Sequence, residues 1–165
     1  MTDGVLVPHG HYAAPNMAIT VVPNRNAIML SIAYGVAVAE GAELVATGVH
    51  SGDHFVYPDC RPEFIEAFGA MQKEAVKGFG DESLRLYAPF VEKSKADIVV
   101  TGDRLGVPYA DTWSCYDGGE VHRGRCSTDV ERILAFKEAG IQDPTEYEDP
   151  DYWRTVEAPL NYEGA

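Results

Sequence analysis

Apolar positions recur three or four residues apart in four stretches of the chain, the spacing of helices that bury one side. The first begins near Ala27, where Ile28, Ile32, Gly35, Val36 and Ala39 follow one another with small residues between them. Asn24 or Asn26 is placed to cap it and Gly41 to stop it. This stretch is apolar nearly all round, which predicts deep burial. The second runs from Pro62 to about Gly78, with Phe64, Ile65, Phe68, Met71, Ala75 and Val76 as its apolar face. A third follows Ser94, carries Ile98, Val99, Thr101 and Leu105, and ends at Gly106. The fourth, from Asp129 to Ala139, is short and amphipathic, with Gly140 as its stop.

Between the helices, Glu43 to Val49 reads as a buried strand leading into the polar turn Gly48 to Gly52, and Leu84 to Ala88 as a short strand ending at Pro89. Residues 1–25 form an irregular lead-in rich in Pro, His and Asn, closing at Val21-Val22-Pro23, where the proline keeps Val22 extended. Thr112 to Cys126 is a Gly-rich loop. The tail over 143–165 is acidic and aromatic, with one helical turn around Tyr152 to Val156. Strands alternating with helices predict an α/β fold with a parallel sheet. Two strands are too few for a doubly wound sheet, so either the sheet is a remnant or strands escape the pattern. Neither a repeat nor a domain boundary is evident, and residues 1–165 read as one domain.

Composition narrows the function. With 45% hydrophobic and 24% charged residues the 165-residue chain is not of a disordered type. Thirteen Lys and Arg against 26 Asp and Glu give a net charge of −13. That argues against nonspecific nucleic-acid binding and against an anionic membrane surface. An anionic substrate would need a local basic pocket set against the global field. No apolar run approaches the ~18 residues of a membrane span, and Met1 to Tyr12 has no signal-peptide pattern. Three scattered cysteines make no disulfide framework, so a reducing cytoplasm is the expected location.

Four clusters carry candidate chemistry. Pro23-Asn24-Arg25-Asn26 puts a cation and two amides at a helix start, suited to an anion or to plain capping. Thr47-Gly48-Val49-His50-Ser51-Gly52-Asp53-His54 follows a strand, where parallel sheets place ligands, or is a simple polar turn. In Tyr57-Pro58-Asp59-Cys60-Arg61-Pro62, Arg61 could hold a carboxylate or phosphate bidentately. Asp59 could cap the helix or accept N–H groups from a base edge. Cys115 and Cys126, with His122 and Asp129 nearby, could bind zinc or be two free thiols in a loop.

Taken in order, these segments resemble the 7-cyano-7-deazaguanine (preQ0) synthase family of queuosine and 7-deazaguanine biosynthesis. The likeness rests on Val22-Pro23-Asn24-Arg25-Asn26, Thr47-Gly48 with Asp53, and Tyr57-Pro58-Asp59-Cys60-Arg61 with Phe64. It continues through Lys95-Ala96-Asp97-Ile98 and Thr112-Trp113-Ser114-Cys115-Tyr116. The resemblance implies a Rossmann-like fold of the adenine-nucleotide α-hydrolase (ATP-pyrophosphatase) type. It also implies conversion of 7-carboxy-7-deazaguanine to a nitrile: ATP activates the carboxylate, ammonia gives an amide, and a second ATP drives dehydration. In that family magnesium accompanies the nucleotide and four cysteines bind a zinc ion, and the resemblance implies both cofactors here. Carried over residue by residue, Arg25 and Asn26 are the catalytic candidates, facing phosphate or carboxylate. Asp53, Tyr57, Asp59, Arg61 and Lys95 are the substrate-binding ones, although Lys95 could equally make a surface pair with Asp97.

Two departures from the family pattern shape the expectations. A Ser-Gly-Gly-x-Asp-Ser loop, which cradles the pyrophosphate of ATP, does not precede Pro8. The expected sheet therefore lacks its N-terminal phosphate-loop half, and a separate polypeptide would supply that loop. The zinc positions fall on Cys115, Arg123, Cys126 and Asp129, so half the ligands are replaced, and an Arg123–Asp129 ion pair is expected to tie the loop instead. Other expectations are a non-catalytic module binding a 7-deazaguanine or nucleotide, and a repurposed interaction protein. An uncovered apolar helix from Ala27 to Ala39 predicts a homo-oligomer or a partner chain.

Overall fold

The computed structural model describes residues 7–156. Among them are the helices α1 (Arg25–Glu40), α2 (Pro62–Ala75), α3 (Lys95–Arg104) and α4 (Ser127–Ala139), and the strands β1 (Leu44–Ala46) and β2 (Arg85–Tyr87). β1 and β2 pair in parallel, with Leu44 opposite Arg85, Val45 opposite Leu86 and Ala46 opposite Tyr87. Parallel neighbours need a long crossover, and α2 supplies it, so β1–α2–β2 is a βαβ unit. The mixed α/β reading holds, and the two strands legible in the sequence are the two found among the described residues. Each is three residues long, shorter than the pattern suggested. None of the described helices is long and apolar enough to cross a membrane.

The chain divides into two compact units. One is Val21–Ser94, holding α1, β1, α2 and β2; the other takes the chain up to Thr20 and resumes at Lys95, holding α3 and α4. In Val21–Ser94, Leu30, Tyr34 and Ala37 of α1 pack with Val45, Phe68 and Leu84. Tyr34 meets Phe68 edge to face with ring centres 6.1 Å apart, the arrangement aromatic quadrupoles favour.

Here the structure corrects the expected deep burial of α1. Leu30, Tyr34 and Ala37 face the core, while Ile28, Met29, Ile32 and Val36 are 54%, 60%, 65% and 57% exposed. At about 100° per residue these are roughly opposite sides of the helix. Both are apolar, and the periodicity marked the outward one. β1 is corrected likewise: Val45 is buried, but Leu44 and Ala46 on either side are exposed. Gly41 and Gly140 do stop α1 and α4, each in left-handed geometry with its N–H returned to the helix.

In the other unit Val99 of α3 packs on Ala135 and Phe136 of α4. Tyr109 stands edge-on to Phe136 with ring centres 4.9 Å apart, and its hydroxyl donates to the Val99 carbonyl at 2.9 Å. Arg132 lies 5.1 Å over the Phe136 ring and donates to Thr112 Oγ1 at 2.7 Å and the Tyr109 carbonyl at 3.0 Å. It also donates to Asp143 at 3.4 Å, whose other oxygen accepts the Tyr147 hydroxyl at 2.7 Å. The start of the acidic tail is therefore built into this unit, and a 3-10 turn follows at Tyr152–Thr155. The lead-in carries a 3-10 turn over Pro15–Thr20 with Met17 buried, and His9 bridges to Cys126. The rest of the expected tail, 157–165, and residues 1–6 of the lead-in lie outside the described residues.

Candidate functional site

In Val21–Ser94 a hollow of about 540 Å³ is lined by Val21, Val22, Pro23 and Asn24 and by Val56, Pro58, Asp59 and Phe64. Two prolines, three valines and a phenyl ring make its wall mostly apolar, and Asp59 is the one charge among the lining residues. The chain reaches this geometry through the turn that starts α1. Asn24, at the N-cap, takes a left-handed φ of 63° and makes no side-chain capping bond. Asn26 does not cap either. Its backbone N–H instead donates to Asp59 Oδ2 at 2.8 Å, so a carboxylate from 33 residues away closes the helix. The Asn26 side-chain amide donates to the Asp59 carbonyl at 3.2 Å and to Cys60 Sγ at 3.1 Å.

Three consequences follow. The expectation of a capping Asn is corrected: Asn24 holds the N-cap position in left-handed geometry, not the extended geometry of a capping residue, and makes no side-chain cap. The amide that would receive an anion at this helix start already holds the Asp59 carboxylate, a favourable place for negative charge. And Asn26 clasps the Asp59-Cys60 turn with both its amide hydrogens. Cys60 is 3% exposed. Its thiol is pushed up to about 12, by burial first and then by the charges of Asp53 and Asp59. With its thiol raised in this way, Cys60 Sγ accepts the Asn26 amide bond.

The remaining candidates of this unit take up the turns around Asp59. Asp53 meets His50, Oδ2 to Nε2, at 3.4 Å, and its carbonyl accepts the Tyr57 N–H at 2.8 Å. Tyr57 stands between the lining residues Val56 and Pro58. Arg61 caps α2 in extended geometry without a side-chain capping bond, and its Nε donates to the His54 carbonyl at 2.6 Å. Arg25 follows the Asn24 wall and is exposed. The structure thus brings Asn26, Asp53, Asp59 and Cys60 together, with Arg25 and Arg61 next in chain to lining or capping positions. Sequence reasoning did not single out Val21, Val56 and Pro58 as wall. The available signal was proline, since Pro23 and Pro58 each begin a turn that faces the hollow.

Lys95 belongs to the other unit, where it opens α3 and ion-pairs with Glu131 of α4. The cluster expected around zinc is also there. Cys115, Cys126 and Asp129 place their donor atoms within 4.8 Å of one another, all buried, with the two sulfurs 4.0 Å apart. Asp129 accepts from Ser114 Oγ at 2.8 Å, from His122 Nδ1 at 3.0 Å and from the Gly124 N–H at 3.0 Å. Because a carboxylate only accepts, Nδ1 is the protonated nitrogen of His122. Burial alone would raise the Asp129 carboxyl. The bonds from His122, Cys115, Ser114 and Gly124 outweigh it and hold the group below its ordinary value. Burial pushes the Cys115 thiol up to about 11.

The expected Arg123–Asp129 ion pair does not form. Arg123 reaches Glu148 at 3.5 Å with its side chain 49% exposed, while Asp129 is fully buried. A guanidinium on a solvated loop keeps its charge in water, and nearer donors satisfy the buried carboxylate. The Arg123 backbone N–H, however, donates to Cys115 Sγ at 3.4 Å, so the four positions do converge. The zinc set does not fit as it stands: the second position carries a guanidinium turned outward, and Asp129 is already engaged by Ser114, His122 and Gly124.

Comparison with known proteins agrees with the segments that carry the resemblance. The family model described as queuosine biosynthesis protein QueC matches residues 1–140. A 7-cyano-7-deazaguanine synthase of Ruegeria pomeroyi is 62% identical over 156 residues, covering 94% of this chain and 67% of that protein. The synthase of Rhizobium meliloti is 63% identical over 153 residues, covering 93% of this chain and 64% of the relative. That of Rhizobium rhizogenes is 62% identical over 156 residues, covering 94% and 65%. The chain spans about two thirds of the length of these relatives. With a family match over most of its length and identities above 60%, the chain belongs to the queuosine biosynthesis protein QueC family.

Proposed function

We propose that this chain forms the deazapurine-binding part of a 7-cyano-7-deazaguanine synthase, acting on 7-carboxy-7-deazaguanine. The observation that carries the reading is Asp59, fixed by the Asn26 N–H at the wall of an apolar hollow. A flat heteroaromatic ring suits walls of proline, valine and phenylalanine, and its N–H edge suits a carboxylate acceptor. Arg25 and Arg61 are exposed guanidiniums to either side in sequence, matched to the carboxylate of such a substrate. In this reading Asn26 and Cys60 position Asp59, and Asp53 and Tyr57 support the turn.

The reaction would activate the carboxylate with ATP and magnesium, form the amide with ammonia, and dehydrate it with a second ATP. We place the phosphate-gripping loop outside these 165 residues, on a further segment or a separate chain. β1 and β2 are then part of a Rossmann-like sheet of the adenine-nucleotide α-hydrolase type, and the setting is cytoplasmic. The exposed stripe of α1 is covered by a second copy or a partner chain.

Calorimetric titration with 7-carboxy-7-deazaguanine tests the recognition step. Asp59→Asn keeps an acceptor for the Asn26 N–H while removing the charge, and is expected to weaken binding at least tenfold with the fold intact by circular dichroism. Equal binding by wild type and variant would overturn the assignment. Nitrile formation only after addition of a polypeptide carrying the phosphate loop supports the synthase, whereas binding without turnover under those conditions supports a binding module.

A further inference from the structure

We infer that the Thr112–Cys126 loop is fastened to α4 by the buried Asp129 carboxylate, in a clasp that works without a metal ion. The inference concerns the zinc that the resemblance implies, and it stands independently of the activity proposed above.

A structural zinc site closes a loop by drawing four donors onto one centre. Here the closing centre is a side chain. Asp129 lies in the first turn of α4, is fully buried, and accepts from three points on the loop: the Ser114 hydroxyl, the His122 ring and the Gly124 amide. Those three donors span the same stretch of loop as Cys115 and Arg123, so the carboxylate ties down what a metal would have tied. Its position in the first turn also places negative charge where the helix dipole favours it.

The donor set points the same way. Arg123 turns its guanidinium out to Glu148 and offers the cluster only its backbone N–H, which goes to Cys115 Sγ. Cys126 Sγ is 3.2 Å from Thr128 Oγ1 and has its own hydrogen-bond partner. The remaining set of Cys115, Cys126 and Asp129 has three donors. Ligation by Asp129 would break at least one of the bonds that close the loop. The Thr128 hydroxyl adds a further tie, donating to the Ser114 carbonyl at 2.8 Å.

The test uses the full chain purified without chelator. Elemental analysis is expected to find far less than one equivalent of zinc, iron or other transition metal, and the melting temperature is expected to be the same with and without a strong chelator. Asp129→Ala should lower that melting temperature by several degrees. Arg123→Cys/Asp129→Cys, which completes four thiols, should take up one equivalent of cobalt(II) with thiolate charge-transfer absorption, and its melting should become chelator-sensitive. One equivalent of metal in the wild-type chain, together with a melting temperature that falls on chelation, would overturn the inference.

Discussion

Asp59 shows how one carboxylate can serve a helix it does not belong to. It accepts the Asn26 N–H at 2.8 Å, and its backbone carbonyl takes the Asn26 side chain. Side-chain acceptors at helix starts contribute roughly 0.5–2 kcal/mol. Asp59→Ala should therefore lower stability by about 1–2 kcal/mol in urea denaturation. Asn26→Ala keeps the backbone N–H and removes the two side-chain bonds, to the Asp59 carbonyl and Cys60 Sγ, so a double-mutant cycle should show the coupling expected of two halves of one contact, about 0.5 kcal/mol or more. Asp143 offers a second, pH-dependent test. Burial alone would raise its carboxyl, but the bonds from Tyr147 and Thr145 and the Arg132 charge lower it overall. A carboxyl depressed in the folded state stabilises above the unfolded value near ~3.9 and loses that contribution as pH falls through the folded value. Asp143→Asn should flatten the acid limb of the stability–pH curve below about pH 4. A curve with the same acid slope as wild type would show that Asp143 is not a source of that limb. Tyr147, raised by burial and by Asp143, remains a phenol donor throughout this range.

At the scale of elements, helix existence was legible and helix orientation was not. All four α-helices of the described residues were found from their periodicity, with ends that match or shift by up to three residues, and Gly41 and Gly140 stop two of them as read. Two things escaped. The buried face of α1 escaped because both faces are apolar, so no polar side marks which way the helix turns. The clasp at its start escaped because Asp59 arrives from 33 residues away, a distance at which spacing rules carry no information. The candidate residues of the pocket were legible as motif, whereas the apolar wall supplied by Val21, Val56 and Pro58 was not. Packing between α3 and the turn after it gives a prediction that opposes helix propensity. Gly102 lies inside α3, where alanine would ordinarily stabilise by ~1 kcal/mol. A Cβ there would run into the Tyr109 hydroxyl, which donates to the Val99 carbonyl. Gly102→Ala should destabilise by about 1–3 kcal/mol, the range for an overpacked site. Stabilisation in thermal melts would mean that Tyr109 moves aside at little cost.

For the whole molecule two forces oppose each other. The chain carries a net charge of −13, and like charges on two copies repel. Against that, Ile28, Met29, Ile32 and Val36 present one continuous apolar stripe along the outward side of α1, each more than half exposed. Exposed apolar stripes of this kind mark association surfaces. The repulsion is screened by salt over a length of ~8 Å at physiological ionic strength, while burial of apolar surface is not weakened by it. Self-association through α1 should therefore strengthen as salt rises, opposite to an interface held by ion pairs. Light scattering behind size exclusion should give twice the 18.0 kDa chain mass at micromolar concentration, more completely in high salt. Ile32→Glu, on an outward position that the core does not use, should return the chain to a monomer with its melting temperature close to wild type. A wild-type monomer at all salt concentrations would exclude a second copy as the cover of α1 and leave a different polypeptide as its occupant.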